Sequence, residues 1–161
     1  LASTGLHTNG YTLARKIVFE VMGLGIEDEM PGTGHAVGDE LLAVHRSYLT
    51  ALRGPLADGV VRGLVHVTGG GVPGNLPRVL PNGIGASVDR AGWEVPAVYQ
   101  TMQAAGGVAR EEMDRVFNMG VGMIVAVDSS DASVILGAAA ACGVEAWTIG
   151  STVEGEGVTY L

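Results

Sequence analysis

Apolar residues along the chain fall into short blocks closed by glycine, and helical and extended periods alternate between them. Leu13, Ile17 and Val21 recur at i, i+4 and i+8, with Ala14 and Val18 one step round. That spacing predicts an amphipathic helix over roughly Asn9 to Met22, capped by Thr8 or Asn9. Gly23 to Val37 holds four glycines, a proline and Glu27-Asp28-Glu29, and reads as a solvated surface loop. Leu41, Leu42, Tyr48, Leu49 and Leu52 predict a second helix from Asp39 to Arg53, stopped by Gly54-Pro55. A strand at Leu64 to Val67, a glycine loop, a short helix near Val72 to Leu80 and a strand near Ile84 to Asp89 follow as a βαβ-like unit.

The second half repeats the theme without repeating the sequence. Helices are expected around Val95 to Ala105 and Arg110 to Phe117. The unbroken apolar run Met123 to Val127 predicts a strand covered on both faces. Ser129 or Ser130 can cap a helix running to Cys142, Gly143 ends it, and Glu145 to Ile149 reads as another strand. Two βαβ-like units with extra helices imply an α+β fold, α/β-like in character, with a mixed β-sheet packed against helices in a ferredoxin-like manner.

Composition narrows the classes. A length of 161 residues fits one domain. With 47% hydrophobic and 16% charged residues the chain is globular, and no apolar run approaches the ~20 residues a bilayer requires. The net charge of -8 and nine thinly spread basic residues argue against nucleic-acid binding. The single cysteine, Cys142, closes an alanine-rich run, where a small buried helix residue is expected. One cysteine allows no disulfide within the chain, which suits the cytoplasm. Leu1-Ala2-Ser3-Thr4-Gly5 has neither a charged nor a long apolar region, so it reads as a chain entered mid-domain rather than a signal peptide.

Three small-residue clusters are the candidates for chemistry: Ser3 to Gly10, Thr68-Gly69-Gly70-Gly71, and Phe117 to Gly122. The first two precede predicted helices, so their N–H groups and hydroxyls can face an anion, although a glycine triplet is more often a tight turn. The third precedes a strand, where glycines permit close packing or backbone approach, or mark a bulge. The expected site residues are His7 and Asn9 as catalytic groups. Ser3, Gly5, Thr8, Gly10, Thr68, Gly69, Gly70, Gly71, Asn118, Gly120 and Gly122 are expected to bind substrate or phosphate. No P-loop occurs, and the only lysine, Lys16, lies mid-helix. Gly120-Val-Gly122 lacks the third glycine of a dinucleotide fingerprint. No metal-ligand spacing joins His7, His35, His45, His66 and Cys142, so no metal site is expected. His45 and His66 read as structural, whereas His7 occupies a polar loop bounded by glycines.

The ordered set of motifs resembles the phosphoribosylformylglycinamidine cyclo-ligase (aminoimidazole ribonucleotide synthetase) family. It comprises Gly5-Leu-His-Thr-Asn-Gly-Tyr11 with Arg15, Gly38-Asp39 with Leu41-Leu42, and Arg46-x-Tyr48. Further on come His66-x-Thr-Gly-Gly-Gly71, Asn75-x-Pro-Arg-Val-Leu-Pro81, Glu112-Met113 with Arg115, and Phe117-Asn-x-Gly-Val-Gly-Met123. The resemblance covers nearly all of residues 1–161, as a single C-terminal domain. It implies an N-terminal half, absent here, that holds much of the ATP and Mg2+ site and of a homodimer interface. It also implies ATP-dependent ring closure of formylglycinamidine ribonucleotide, with this domain as one wall of the site and no activity alone. Family members usually carry Pro-Thr where this chain has Val44-His45, and losing that proline lets the second helix run on. Selenophosphate synthetase, thiamine-monophosphate kinase and the later-acting half of formylglycinamidine synthetase share the architecture. A kinase-like relative and a non-catalytic phosphate-binding or assembly module are therefore the alternatives.

Overall fold

The computed structural model describes every residue from Leu1 to Leu161. It is an α+β fold with two small sheets and helices against them, and no helix is long and apolar enough to cross a membrane. Strands β1 (Val61–His66) and β3 (Met123–Val127) pair antiparallel, with a register shift between Val61 and Gly63. In the second sheet β2 (Ile84–Val88) is central, antiparallel to β4 (Gly150–Glu154) and parallel to β5 (Val158–Tyr160).

This topology corrects the two βαβ-like units, because β1 and β2 lie in different sheets. Residues 145–149 form no strand, and the strand that pairs with β2 begins at Gly150. Trp147 and Ile149 instead pack on the core beside β2. The run Met123 to Val127 behaves as its composition predicts. Met123, Val125 and Val127 pack against one cluster and Ile124 against another, so both faces are partly covered.

The first helix forms where expected but changes pitch. α1 (Tyr11–Arg15) continues into a π-helical turn, Lys16–Val21, closed by Met22 N–H donating to Ile17 O. The wider turn keeps Ile17 and Val18 in the core and swings Val21 out to 56% exposure, which breaks the predicted stripe. Gly10, not Thr8 or Asn9, precedes the helix, and no side chain caps it. The acidic loop is also less solvated than its composition suggests, since Met30 and Val37 are fully buried.

The expected helix Asp39 to Arg53 divides into α2 (Val37–Leu41) and α3 (Leu49–Ala57), with Pro55 inside α3 rather than after it. The expectation that a chain without proline at position 44 would run on as one helix is thus not met. Tyr11 Oη donates to Leu41 O at 2.6 Å, Thr4 Oγ1 to Val44 O at 2.7 Å, and Tyr48 Oη to Ala2 O at 2.9 Å. These bonds hold residues 42–48, which belong to no helix or strand, against the N-terminal loop, turning Leu42 and Val44 outward and His45 inward.

α4 (Gly71–Asn75) and a 3-10 turn at Leu76–Val79 fill the span predicted from Val72 to Leu80. α5 (Ala97–Gly106) and α6 (Arg110–Val116) match their predicted ranges. α7 (Ala132–Ala141) starts after a 3-10 turn at Ser129–Asp131, with Asp131 and neither serine at its N-cap. Cys142 is exposed rather than buried, because it sits at the C-cap of α7, beyond the stripe of Ile135 and Ala139. Asp114 of α6 is buried and satisfied by two guanidinium groups, from Arg90 and Arg110 at 3.0 Å. Pairing a buried carboxylate in this way avoids the cost of an isolated charge.

The glycine triplet has a packing role. Gly71 adopts φ +60°, and a Cβ there would overlap the Asp114 carbonyl oxygen, so α4 reaches α6 only through glycine. Gly74, one turn on, is exposed with open space at its Cβ position. We expect Gly71→Ala to lower unfolding stability by roughly 3 kcal/mol. Gly74→Ala should raise it by about 0.5 kcal/mol or more. Urea unfolding of both variants checks the contrast, and equal effects would contradict the packing assignment.

Candidate functional site

The three clusters singled out in the sequence meet in space, and one asparagine organises the meeting. Asn118 is 1% exposed. Its Nδ2 donates to Gly5 O at 2.9 Å, and its Oδ1 accepts from Ser3 Oγ at 3.0 Å and from Gly120 N at 2.8 Å. Tyr99 Oη lies 2.7 Å from Gly5 O and 2.8 Å from Asn118 Oδ1, and its one proton serves either acceptor. Burial raises the Tyr99 phenol above its ordinary range, so it stays protonated and can donate. Ser3 N–H donates to Gly120 O at 2.8 Å, and Gly122 N–H to Leu1 O at 3.0 Å.

A second link reaches the glycine triplet, because Gly69 N–H donates to Asn9 Oδ1 at 2.9 Å. Asn9 is therefore a bridge between loops rather than a helix cap. Gly70 N–H donates to Arg115 O and Gly71 N–H to Thr68 O, both at 2.9 Å. Thr68 Oγ1 donates to Asn75 Oδ1 at 3.2 Å, and Asn75 Nδ2 donates to Gly71 O at 2.7 Å. The triplet's amides are thus all engaged within the chain. α1 and α4 have five residues each, so neither offers a long helix end to an anion. Of the expected residues, Thr8 and Gly69 are exposed at the rim.

His7 lies at the centre and is 3% exposed, buried despite its polar sequence neighbours. Its backbone has φ 56°, a left-handed conformation unusual for a residue with a side chain. Its Nε2 accepts from Thr4 N at 3.1 Å. The His45 ring stacks on it at 3.9 Å with 14° between planes. His66 Nε2 lies 3.1 Å from His45 Nε2. Gly122 is required beside them, since a Cβ would overlap the Tyr48 hydroxyl and press on His7 Cε1. Sequence reading left His45 and His66 out of the site. His66 at the end of β1 and His45 on the irregular segment between α2 and α3 come together only through tertiary structure.

Burial, then His45, His66 and Arg46, lower the His7 pKa to about 4. Burial and His45 lower that of His66 as well. His7 is therefore a neutral imidazole at pH 7. With Nε2 accepting from Thr4, its proton resides on Nδ1, which is buried and has no partner. Asn9 Nδ2 is likewise buried with no partner.

A family model for the AIR synthase related protein, C-terminal domain, matches residues 1–160. A phosphoribosylformylglycinamidine cyclo-ligase from Geotalea daltonii is 47% identical over 136 residues, covering 84% of this chain and 39% of the relative. One from Sorangium cellulosum is 45% identical over 156 residues, covering 96% of this chain and 45% of the relative. The chain thus spans well under two thirds of the length of these relatives. The crystal structure of thiamine-monophosphate kinase from Stenotrophomonas maltophilia superposes with a TM-score of 0.63 at 13% identity. That superposition covers 99% of this chain and 48% of that one, a likeness of fold.

The depressed His7 pKa sets a pH dependence. Between about pH 6.5 and 4 the unfolded chain binds a proton that folded His7 does not, so stability is fully present above that window and falls on acidification through it. We expect the melting temperature to drop by about 5 °C from pH 7 to pH 5. His7→Gln should flatten this slope, and an unchanged slope in that variant would contradict the assignment.

Proposed function

This chain belongs to the family of AIR synthase related protein C-terminal domains, and we propose that it forms one wall of the active site of a phosphoribosylformylglycinamidine cyclo-ligase. The observation that carries this reading is the pair of buried, unpartnered donors, His7 Nδ1 and Asn9 Nδ2, where three glycine-rich clusters converge. A buried donor without an acceptor is costly, and a bound oxygen relieves that cost. In this reading the two N–H groups hold an oxygen of formylglycinamidine ribonucleotide and orient its reacting amide for attack by the amidine nitrogen.

The arrangement suits positioning by neutral donors. His7 carries no charge at pH 7, and Thr4 N–H fixes which ring nitrogen bears the proton. Asn9 is held by its own Oδ1 on Gly69, leaving Nδ2 for the ligand. Asn118 and Tyr99 lock Gly5, so the loop carrying His7 is held at both ends.

The residues present do not by themselves fit a Mg2+ or triphosphate site. The one grouping of three potential metal ligands is made of histidines, whereas Mg2+ selects oxygen donors. The amides of Gly69, Gly70 and Gly71 are already engaged. The proposal therefore assigns ATP and Mg2+ mainly to polypeptide beyond this domain, and carries with it a cytoplasmic homodimer.

The test is an assay of aminoimidazole ribonucleotide formation with a polypeptide containing this chain and the rest of the relatives' length. His7→Ala and Asn9→Ala should each lower kcat by ~10-fold or more. The Asn9 change should cost only about 1 kcal/mol of stability, the worth of its bond to Gly69. The 161-residue chain alone should not turn over. Normal kcat in both variants, or turnover by the chain alone, would overturn the proposal.

A further inference from the structure

We propose that His45 and His66 form a binding site for a divalent transition-metal ion of the Zn2+, Ni2+ or Cu2+ class, walled by His7. The inference shares His7 Nδ1–H with the cyclo-ligase reading but takes its ligands from His45 and His66, which that reading does not use, so Zn2+ binding and ring closure can fail separately. A ring nitrogen of each histidine lies within 4.8 Å of the others, and the Nε2 atoms of His45 and His66 are 3.1 Å apart. An ion at about 2.0–2.1 Å from both nitrogens would subtend roughly 100° at that separation, within the range of tetrahedral coordination. In the absence of an ion the two nitrogens share one proton between them, and the ion replaces that proton.

The donor set decides the class of ion. Two imidazole ligands, walled by a third imidazole and with no carboxylate in the cluster, suit borderline transition metals and disfavour Mg2+ and Ca2+. His66 is exposed and His45 half-buried, so the site opens to solvent and both rings have room for the small tilts that ligation needs. His7 is placed to support rather than to ligate. Its ring lies nearly parallel to His45, so the two lone pairs do not converge, and Nε2 is occupied by Thr4 N–H. Its Nδ1–H has no partner in the chain and is available to a water or anionic oxygen on the ion. Arg46 is the fixed charge near the cluster, and it favours an ion that carries an anionic oxygen over a bare dication.

The site depends on the residue at position 45. His45 occupies the second position of Val44-His45, in the irregular segment that the Thr4 and Tyr48 hydroxyls hold against the N-terminal loop. A residue without a ligating nitrogen there would leave His66 without its partner.

Isothermal titration of the protein with ZnCl2 and NiCl2, and the visible absorption of a Co2+ titration, test the proposal at pH 7.5. Saturable binding of one equivalent of Zn2+ is expected, with no heat from MgCl2. His45→Gln and His66→Gln should each weaken Zn2+ binding by at least ~10-fold and abolish the Co2+ bands. Both positions are solvent-accessible, and an unchanged circular dichroism spectrum verifies that each variant is folded. Because Cys142 is exposed and free, Cys142→Ser is the control and should bind as the parent does. Absence of Zn2+ binding, unchanged affinity in either histidine variant, or loss of binding in Cys142→Ser would overturn the assignment.

Discussion

The side chain of Asn118 is the constraint on which the rest of the site depends. It is buried, and an unpaired amide there would be expensive, so the surrounding backbone must come to it. Gly5 O, Gly120 N, Ser3 Oγ and Tyr99 Oη do so. One residue thereby fixes the N-terminal loop against the segment entering β3 and anchors both to α5. The loop cannot shift without breaking several bonds at once, and this holds His7 in its left-handed conformation and in the His45 stack.

A second, weaker joint sets the width of the site. Asn9 reaches across to Gly69, while the Arg115 and Thr68 carbonyls take the amides of Gly70 and Gly71 and Asn75 Nδ2 donates to Gly71 O. Glycine at 71 lets α4 lie against the backbone of α6, so the three glycines serve close approach before any ligand is considered. The amides once available to an anion have been spent on structure. What remains free at this place is a pair of side-chain donors, and free donors in a buried position define what a ligand must bring.

Elements whose pattern agrees with their packing were legible in the sequence. α5, α6 and β3 form where the sequence leads one to expect them, because their apolar residues meet the core without competition. Asp39 to Arg53 fits a helix equally well by spacing, yet hydroxyls of Tyr11, Thr4 and Tyr48 capture its carbonyl groups or tie it to the N-terminal loop. Those partners lie about 30 to 46 positions away, beyond any local window. The same limit applies to strand pairing, which no periodicity encodes, and to His45 and His66, which meet only after residues 42–48 are drawn across. The clusters themselves were legible as small-residue punctuation, and the family motifs ordered them. Their convergence was not, since it rests on one buried asparagine with ordinary sequence neighbours.

The proposed function requires that residues 3–10, 68–71 and 118–122 act as one ligand-holding unit. Amide hydrogen exchange of the polypeptide containing this chain, with and without formylglycinamidine ribonucleotide, tests it most directly. The account predicts that substrate slows exchange in all three segments together, with little change in α7 or β4. Protection confined to one segment, or centred on α7 and β4, would contradict it.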